Sequence, residues 1–388
     1  MLKDKIKKDW VVMGDKKPSF SLEGKSDTFQ KILFNRDIKT KEEAEEFLWP
    51  KYENLTPPEN LLDNEKAAEI ILETREKKEK IVIFGDYDVD GVCATALLLR
   101  FFKEIGINCD YYIPDREREG YGPNKEAIEK IAKSGAKVIL TVDCGIVAFE
   151  ALEYAKTLGM TVIITDHHLP REEKGKRALP LAEAIIDPKL QSEKEPFYYL
   201  CGAGVAFYLV RMMIALKPTL IHPGQEKWLL DLVAIATICD VVPLRKDNRI
   251  LAKFGLMVIK KSRNCGLKAL IKSANLNPDE IDSYKTAFVL GPRLNAAGRM
   301  KDAKTALTLL VSSDQDEVKK LAVNLSKINE ERQKITERIV TEAKDLIAKK
   351  DSNNKLFFLA SRNWPAGVVG IAASRLVEEY HRPILIME

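Results

Sequence analysis

The chain has 388 residues, 45% of them hydrophobic and 31% charged, with a formal net charge of +4. This length allows two or three domains with a real core, and the composition is that of a soluble globular protein. Because the net charge is small, any nucleic-acid partner would have to be held by a local basic patch rather than by the field of the whole chain.

The sequence predicts neither a membrane protein nor a secreted one. No run approaches 18 apolar residues, and the first ten residues lack the apolar core of a signal peptide. The six cysteines are scattered without a Cys-x-x-Cys pair, which is typical of free thiols in a reducing compartment. We therefore expect a cytoplasmic protein with no membrane partner.

Residues 1–75 are predicted to form a helical N-terminal extension. They contain no convincing strand, and helices are predicted at 29–33, 41–48 and 64–77. Thr40, followed by acidic residues, is typical of a helix N-cap. We expect this segment to be scaffold without chemistry.

A repeated strand–helix pattern begins near residue 80 and is predicted to form the main domain, residues 76–310. Strands are predicted at 81–84, 108–113, 136–142, 160–165 and 184–186, and helices at 92–103, 124–133, 146–158, 202–215 and 228–239. Strands that alternate with helices imply an α/β fold with a parallel sheet and right-handed crossovers. Because the carboxyl ends of parallel strands share one edge of the sheet, polar residues at those ends should converge.

Three aspartates follow the first predicted strand directly. Asp86, Asp88 and Asp90 stand at i, i+2 and i+4 after four apolar residues that are typical of a strand buried on both faces. Three close carboxylates repel one another strongly unless a cation neutralises them. This pattern predicts a divalent metal site, and the oxygen ligands favour Mg²⁺ or Mn²⁺.

Other predicted element ends carry matching groups. Asp143 follows the strand at 136–142, and Asp166, His167 and His168 follow the next strand. Adjacent histidines beyond a strand point in different directions, so we expect one to bind metal and the other to meet substrate, with Asp166 fixing an imidazole tautomer. Asp240 ends an apolar helix; a simple cap is the alternative, but beside the other carboxylates it is predicted to be a further metal ligand.

Two arginine-bearing stretches with glycines are candidates for phosphate binding. One contains Arg293, Asn295 and Arg299 between glycines, which would let the backbone approach a ligand closely. The other, 113–122, carries Arg116 with glycine and an aromatic residue. Arginine matches phosphate oxygens in a bidentate way. The alternative interpretation is a loop with solvated arginines.

The C-terminal part is predicted to contain a long helix and an incomplete domain. Residues 315–350 carry apolar positions at a 3–4 spacing, which predicts one long connecting helix, assigned to 311–350. After it we predict a strand at 355–360, a turn at 364–370, a helix at 371–379 and a strand at 383–387. About 40 residues are too few for an independent core, so we expect 351–388 to be the start of a second, smaller α/β domain in a truncated chain.

Two other motifs, one for metal binding and one for nucleotide binding, are excluded by the sequence. Residues 86–91 match the first six positions of an EF-hand, but its twelfth position must be acidic and is Leu97 here. A P-loop is excluded because no Gly-x4-Gly-Lys-Ser/Thr occurs.

Together these stretches resemble a known family. The four motifs of the DHH phosphoesterases are similar to residues 86–91, 141–145, 166–168 and 238–244. The stretches at 291–299 and 364–375 narrow the resemblance to the RecJ family, whose members are single-strand-specific 5′→3′ DNA exonucleases. The resemblance runs from near Arg36 to residue 388, and it implies a DHH domain, a long linker helix and the start of a DHHA1-like domain.

This resemblance implies a site for two ions, Mn²⁺ or Mg²⁺. The implied ligands are Asp88, Asp90, Asp143, His167 and Asp240, with Asp143 bridging the ions. Many relatives carry a histidine ligand four residues before Asp88; here that position is Phe84, so Asp86 or a water would fill the gap. The implied catalytic residues are His168, placed near the scissile phosphate, Asp143 and Asp166.

The resemblance also implies how DNA would be held. Candidates for recognition of the 5′-phosphate are Arg116, Ser374 and Arg375, and candidates for the phosphates nearer the cut are Arg293, Asn295 and Arg299. The implied activity is hydrolysis of single-stranded DNA from its 5′ end to mononucleotides, in DNA repair and recombination. The implied chain is a monomer, with a single-strand-binding protein as a candidate partner.

Related activities would share the metal motifs. A pyrophosphatase, a nanoRNA hydrolase or a cyclic-dinucleotide phosphodiesterase of the same superfamily is disfavoured by the arginine stretches and the long helix. A non-catalytic DNA-binding relative would have lost ligands, whereas all the motif carboxylates and both histidines are present here.

Overall fold

The computed structural model describes residues 20–300, 302–350 and 354–388. The first 19 residues of the predicted N-terminal extension and the first three of the predicted incomplete domain lie outside these ranges. The described chain forms two compact units, one of Pro50–Ser326 and one of the residues up to Trp49 together with Lys327–Glu388. The division into four parts at 75/76, 310/311 and 350/351 stays a prediction.

The elements of the described chain run as follows. The strands are β1 (Lys80–Gly85), β2 (Cys109–Tyr112), β3 (Ala136–Val142), β4 (Thr161–Thr165), β5 (Arg171–Glu173), β6 (Lys176–Ala178), β7 (Ala184–Ile186), β8 (Phe357–Ala360) and β9 (Ile384–Met387). The helices are α1 (Asp27–Asn35), α2 (Lys41–Leu48), α3 (Asn64–Glu76), α4 (Val89–Glu104), α5 (Lys125–Lys133), α6 (Phe149–Thr157), α7 (Gly202–Leu216), α8 (Leu230–Cys239), α9 (Lys246–Lys260), α10 (Cys265–Ser273), α11 (Ser283–Lys285), α12 (Gly291–Met300), α13 (Lys304–Val311), α14 (Gln315–Ala348) and α15 (Ala366–Tyr380).

A five-stranded parallel sheet in the order β2-β1-β3-β4-β7 forms the centre of the larger unit. Alternate residues of its strands face two different cores. Ile83 and Leu140 join the core that contains α4, α7 and α8, whereas Phe84 and Ile139 join the one that contains α5 and α6. Strands buried on both faces read as continuous apolar runs, as these do in the sequence. The predicted α/β fold with a parallel central sheet and a long helix is confirmed.

The register of the sheet brings the strand ends to one edge. Gly85 pairs with Val142, Val142 with Thr165, and Thr165 with Ile186, the last residues of β1, β3, β4 and β7. The residues that follow these strands therefore emerge side by side. The predicted convergence of the polar strand ends rests on this register.

In the smaller unit, the predicted helices before residue 50 are present. Thr40 accepts from Glu43 N at 3.1 Å, and Glu43 Oε2 accepts from Thr40 N, so the two form a capping box at the start of α2. In the same unit β8 and β9 pair in parallel and are connected through α15, which is a βαβ unit.

One alternative and one prediction about local structure are wrong. The stretch with Arg293 and Arg299 is not a loop but helix α12, which continues directly from a π-helical turn at Thr286–Leu290. The predicted turn at 364–370 ends early, because α15 begins at Ala366 after an extended Pro365. Glycines suggested irregular backbone in both places, but they lie within helices.

An antiparallel hairpin, β5–β6, was not predicted; its exposed strands are charged and lack apolar alternation. None of the described helices is long and apolar enough to cross a membrane.

Candidate metal centre

The loop after β1 is fixed by its own aspartates. Asp88 is the N-cap of α4, and its Oδ1 accepts from Asp90 N at 2.8 Å and from Gly91 N at 3.1 Å. A Cβ on Gly91 would lie 2.6 Å from the carbonyl oxygen of Asp86, so only glycine allows this close approach of the chain to itself. Asp86 is buried, and its Oδ1 has no hydrogen-bond partner. A buried oxygen without a donor is costly unless something such as a cation satisfies it.

Asp90 is held by the beginning of α7. Its two carboxylate oxygens accept from the backbone N–H groups of Gly202, at 2.6 Å, and Ala203, at 2.8 Å. The first N–H groups of a helix have no partner inside the helix and attract negative charge. The side chain of Asp90 is therefore anchored 112 residues away in sequence, and its position is fixed before any ion binds.

Asp143 and His167 lie next to each other at the edge of the sheet. His167 Nε2 is 2.9 Å from Asp143 Oδ1 and 3.6 Å from Asp90 Oδ2. Asp143 has φ of 59°, in the left-handed region, and the Cβ that Gly202 lacks would lie 2.6 Å from Asp143 Cβ. The aspartate is thus held in a strained backbone conformation against the start of α7, as is common at functional sites.

Asp240 reaches the same place from the C-cap of α8. Its Oδ2 is 3.9 Å from His167 Nε2. Three overlapping groups each bring ligand atoms within 4.8 Å of one another: Asp86, Asp88 and Asp143; Asp90, His167 and Asp240; and Asp143, His167 and His168. All six residues predicted to bind metal lie in these groups. Asp143 belongs to two of them, as a bridging residue would.

Burial and mutual repulsion raise the pKa values of these carboxyls. For Asp86 burial and the charge of Asp88 raise the pKa to about 7, and for Asp240 the same two causes raise the pKa to about 6. For Asp90 burial and the charges of Asp240 and Asp88 raise the pKa to about 8. Burial, with Asp90 and Asp88, also raises the pKa of Asp143 well above its usual value. Buried carboxylates this close together repel one another, and a bound cation would neutralise that repulsion.

The two histidines differ in charge. Burial and the neighbouring His168 lower the pKa of His167 to about 4, so His167 is neutral and can offer a nitrogen lone pair. His168 Nδ1 lies 2.7 Å from Asp166 Oδ1, and this hydrogen bond raises the pKa of His168 to about 9 despite partial burial. Burial works to raise the pKa of Asp166, but the hydrogen bond and charge of His168 outweigh it and leave this pKa lowered. Asp166 is thereby an ion-pair partner of His168.

Tyr121 joins this pair from the loop after β2. Its hydroxyl donates to the carbonyl oxygen of Asp143 at 3.1 Å and lies 3.3 Å from His168 Nδ1. Its ring packs edge-on against His168 and against Tyr87. The sequence analysis included this tyrosine only as the aromatic residue of the candidate phosphate-binding stretch 113–122, and its contact with His168 is visible only in the folded loop.

Two of the predicted phosphate-binding arginines come together beside the aspartates. The Arg116 guanidinium lies 5.1 Å from the centre of the Tyr87 ring. Burial and the neighbouring Arg116 lower the pKa of Arg299, while the charge of Asp88 acts to raise it. Both cations thus lie within electrostatic range of the metal-binding loop.

Asn295 and Arg293 have protein partners in this structure. Asn295 Oδ1 accepts from Val89 N at 2.9 Å, which ties α12 to the first residue of α4. Arg293 donates to Val289 O at 2.7 Å and to Ser326 Oγ at 3.2 Å. The glycines of this stretch serve packing, since a Cβ on Gly298 would lie 2.4 Å from the carbonyl oxygen of Tyr87.

Ser374 and Arg375 lie on α15 in the smaller unit. Both are exposed, and Ser374 Oγ donates to Gly370 O within the helix. Their predicted part in recognition of a 5′-phosphate stays a prediction.

Phe84 occupies the position where a histidine ligand is expected in many relatives. Its side chain turns away from the aspartates. It is fully buried in the core on the α5–α6 side and stacks on Tyr112 at 5.4 Å. Asp86, two residues later, lies with Asp88 and Asp143 in one ligand group. The expectation that a nearby carboxylate fills this gap is compatible with that grouping.

The comparisons with known proteins agree with this geometry. The family model described as "DHH family, N-terminal domain" matches residues 80–237. The single-stranded-DNA-specific exonuclease RecJ of Bacillus subtilis is 39% identical over 92% of this chain and 44% of its own length. The protein of the same name from Escherichia coli is 36% identical over 92% of this chain and 62% of its own length. The chain thus spans about half the length of these curated relatives.

Two solved structures are similar over most of this chain. A crystal structure of exonuclease RecJ bound to manganese is 33% identical, covers 84% of this chain and 80% of its own, and gives a TM-score of 0.75. RecJ from Thermus thermophilus in complex with Mn²⁺ is 31% identical, covers 91% of this chain and 49% of its own, and gives a TM-score of 0.77. From these similarities and the shared DHH domain, the chain belongs to the RecJ family of DHH phosphoesterases.

Proposed function

We propose that this chain is a metal-dependent exonuclease that hydrolyses phosphodiester bonds of single-stranded DNA from the 5′ end, releases 5′-mononucleotides and acts in DNA repair and recombination. The observation that carries the proposal is the overlap of three ligand groups, in which Asp143 and His167 each belong to two. Relatives of 36–39% identity carry the name single-stranded-DNA-specific exonuclease.

The donor set fits two divalent ions, Mn²⁺ or Mg²⁺. Carboxylate oxygens with a single neutral imidazole suit these hard cations, and the unpartnered Oδ1 of Asp86 would gain a partner. The proposed ligands are Asp86, Asp88, Asp90, Asp143, His167 and Asp240. Two ions bound there would supply an activated water and neutralise charge on the attacking and leaving oxygens.

The other residues would hold and orient the phosphate. His168, kept protonated by Asp166, presents a cationic N–H donor beside Asp143, where negative charge would develop on the phosphate oxygens. Tyr121 limits how the His168 imidazole can rotate, because its hydroxyl lies beside His168 Nδ1 and its ring packs edge-on against the imidazole. Arg116 and Arg299 would bind phosphates on the Tyr87 side of the ligand cluster.

The remaining assignments are parts of the same proposal. Arg293, Asn295, Ser374 and Arg375 are proposed as further DNA contacts, although the first two also hold the protein together. We propose a monomeric cytoplasmic enzyme with a single-strand-binding protein as a partner, and a DHH domain, linker helix and DHHA1-like segment within the boundaries predicted above.

An end-label assay tests this proposal. The full chain is incubated with Mn²⁺ and a single strand labelled at its 5′ or its 3′ end, or with the corresponding duplex, and products are separated by size. We expect labelled mononucleotide at once from the 5′-labelled single strand, progressive shortening of the 3′-labelled strand, and little product from duplex. Asp143→Ala should abolish cleavage. Equal cutting of duplex, or activity that survives Asp143→Ala, would contradict the proposal; DNA binding without any cleavage would favour a non-catalytic relative.

A further inference from the structure

Val241 has a backbone conformation that its own side chain disfavours. It follows the C-cap residue Asp240 of α8 and has φ of 58°. Helices often end with one residue in this left-handed region, but that residue is usually glycine. For a β-branched residue the conformation is a genuine outlier, because Cβ and its two methyl groups crowd the backbone.

The protein gains no visible packing in return for this strain. The Val241 side chain is 83% exposed, the most exposed large apolar side chain among the described residues. Its neighbour Val242 packs against the core, so the turn itself is anchored without Val241. Strain combined with exposure marks a side chain whose contact lies outside the described protein, and such strain clusters at ligand sites.

The location of Val241 limits what it can touch. The Cα atoms of consecutive residues lie about 3.8 Å apart. Val241 therefore exposes its isopropyl group within one residue of Asp240, whose Oδ2 is 3.9 Å from His167 Nε2. In a phosphodiester held at this cluster, sugar carbons are bonded directly to the phosphate oxygens, whereas the bases lie farther away. An apolar group beside the phosphate site therefore meets the sugar.

We propose that Val241 contacts the sugar at the scissile phosphate and makes the site selective for deoxyribose over ribose; this inference rests on the function proposed above. A deoxyribose presents a C2′ methylene to the isopropyl group. A ribose would press its 2′-hydroxyl against an apolar surface that offers no hydrogen-bond partner, and burial of an unsatisfied hydroxyl is unfavourable.

Three variants separate the side chain from the backbone. Val241→Thr keeps the β-branched shape and the strain but supplies a hydroxyl that can bond to a 2′-hydroxyl. Val241→Gly removes both the side chain and the strain. Lys78→Gly is a matched control, because Lys78 also follows the C-cap of a helix, with φ of 57°, and is exposed.

The experiment measures kcat/KM of the full chain with Mn²⁺ on 5′-phosphorylated single strands of DNA and RNA with the same base order. For the unaltered chain we expect a preference for DNA of roughly 10- to 100-fold, the range expected for one hydroxyl buried without a partner. Val241→Thr and Val241→Gly should each reduce the DNA-to-RNA ratio at least about fivefold. Lys78→Gly should leave the ratio unchanged. The melting temperature of Val241→Gly should not fall, since glycine relieves the strained backbone.

The outcomes are distinct. A ratio that stays the same in both Val241 variants overturns the inference while the proposed exonuclease stands. An equal loss on DNA and RNA also overturns it, because the contact is then not with the 2′ position. If the unaltered chain cleaves neither strand, the proposed function fails and this inference fails with it.

Discussion

Asp166 Oδ1 and His168 Nδ1 lie 2.7 Å apart at the edge of the sheet, and this contact sets the charge of the imidazole. The same carboxylate also accepts from the backbone N–H groups of Ile146 and His167, so its position is fixed by the fold. A buried acid placed in this way orients the ring and keeps it protonated.

Asp166→Asn should therefore shift the alkaline limb of the pH–rate profile. The pKa of His168 is raised to about 9, so the cationic form is present at neutral pH and is lost as pH rises through about 9. Asparagine keeps one acceptor but removes the charge, and the pKa should fall toward the ordinary histidine value of about 6.5. We expect activity to decline at least about one pH unit earlier than in the unaltered chain. An alkaline limb that does not move would show that the charge of His168 is not needed.

Asn295→Ala should weaken metal binding. The Asn295 carboxamide oxygen fixes Val89 N, at the start of the helix that Asp88 caps. Removal of a residue that orients ligands typically reduces metal affinity about 10- to 100-fold. Mn²⁺ affinity, measured from the electron paramagnetic resonance signal of free Mn²⁺, checks this expectation.

Asn295→Asp is the matched control, because it keeps an oxygen acceptor for Val89 N. It should lose less Mn²⁺ affinity than Asn295→Ala. If both variants bind Mn²⁺ normally but bind single-stranded DNA more weakly, Asn295 acts on phosphate and not through the metal loop.

Gly202→Ala should disrupt the site, whereas Gly204→Ala should not. A Cβ at position 202 would meet Asp143 Cβ at 2.6 Å, and the N–H of Gly202 also holds Asp90. At position 204 the closest atom is Cδ2 of Leu200, at 3.0 Å, the end of a flexible side chain. We expect Gly202→Ala to lower the melting temperature and to reduce Mn²⁺ affinity more than about tenfold. Similar Mn²⁺ affinity in the two variants would contradict the tight fit of α7 against the ligands.

Metal affinity should rise with pH. Without an ion, the carboxyls of Asp240, Asp86 and Asp90 have pKa values of about 6, 7 and 8, so below those values they hold protons that a cation must displace. Mn²⁺ affinity should increase from about pH 6 to about pH 8 and level off above it. Isothermal titration calorimetry at about pH 6.5, in buffers of different ionisation enthalpy, should show proton release on binding. Affinity that does not change over this range would contradict the crowded carboxyls.

Much of the site was predictable because its residues follow strands. Asp86, Asp143 and Asp166 come directly after apolar runs, and a parallel sheet places such ends at one edge whatever else the chain does. Asp240 was predicted with less support, since it ends a helix, and only tertiary packing brings that helix to the sheet edge.

What could not be predicted depends on close packing or on groups without a sequence signature. The N–H groups of Gly202 and Ala203 that hold Asp90 belong to the backbone and have no residue pattern. The glycines around Arg293 and Arg299 indicated a close approach of the backbone to a ligand and left a loop open as the alternative, but they allow α12 to pack tightly, as Gly298 does against Tyr87. The left-handed conformation of Val241 contradicts its own propensity, and such conflicts are invisible until the chain has folded.

The most direct test of the account is to locate manganese in crystals of this chain. Anomalous diffraction at the manganese edge should show two ions about 3.5–4 Å apart, both contacting Asp143, with His167 and Asp240 at one of them and Asp86 or Asp88 at the other. Asp143→Ala should lose the bridging ligand and at least one of the two peaks. A single ion in the unaltered chain, or two ions that Asp143 does not bridge, would contradict the two-metal centre.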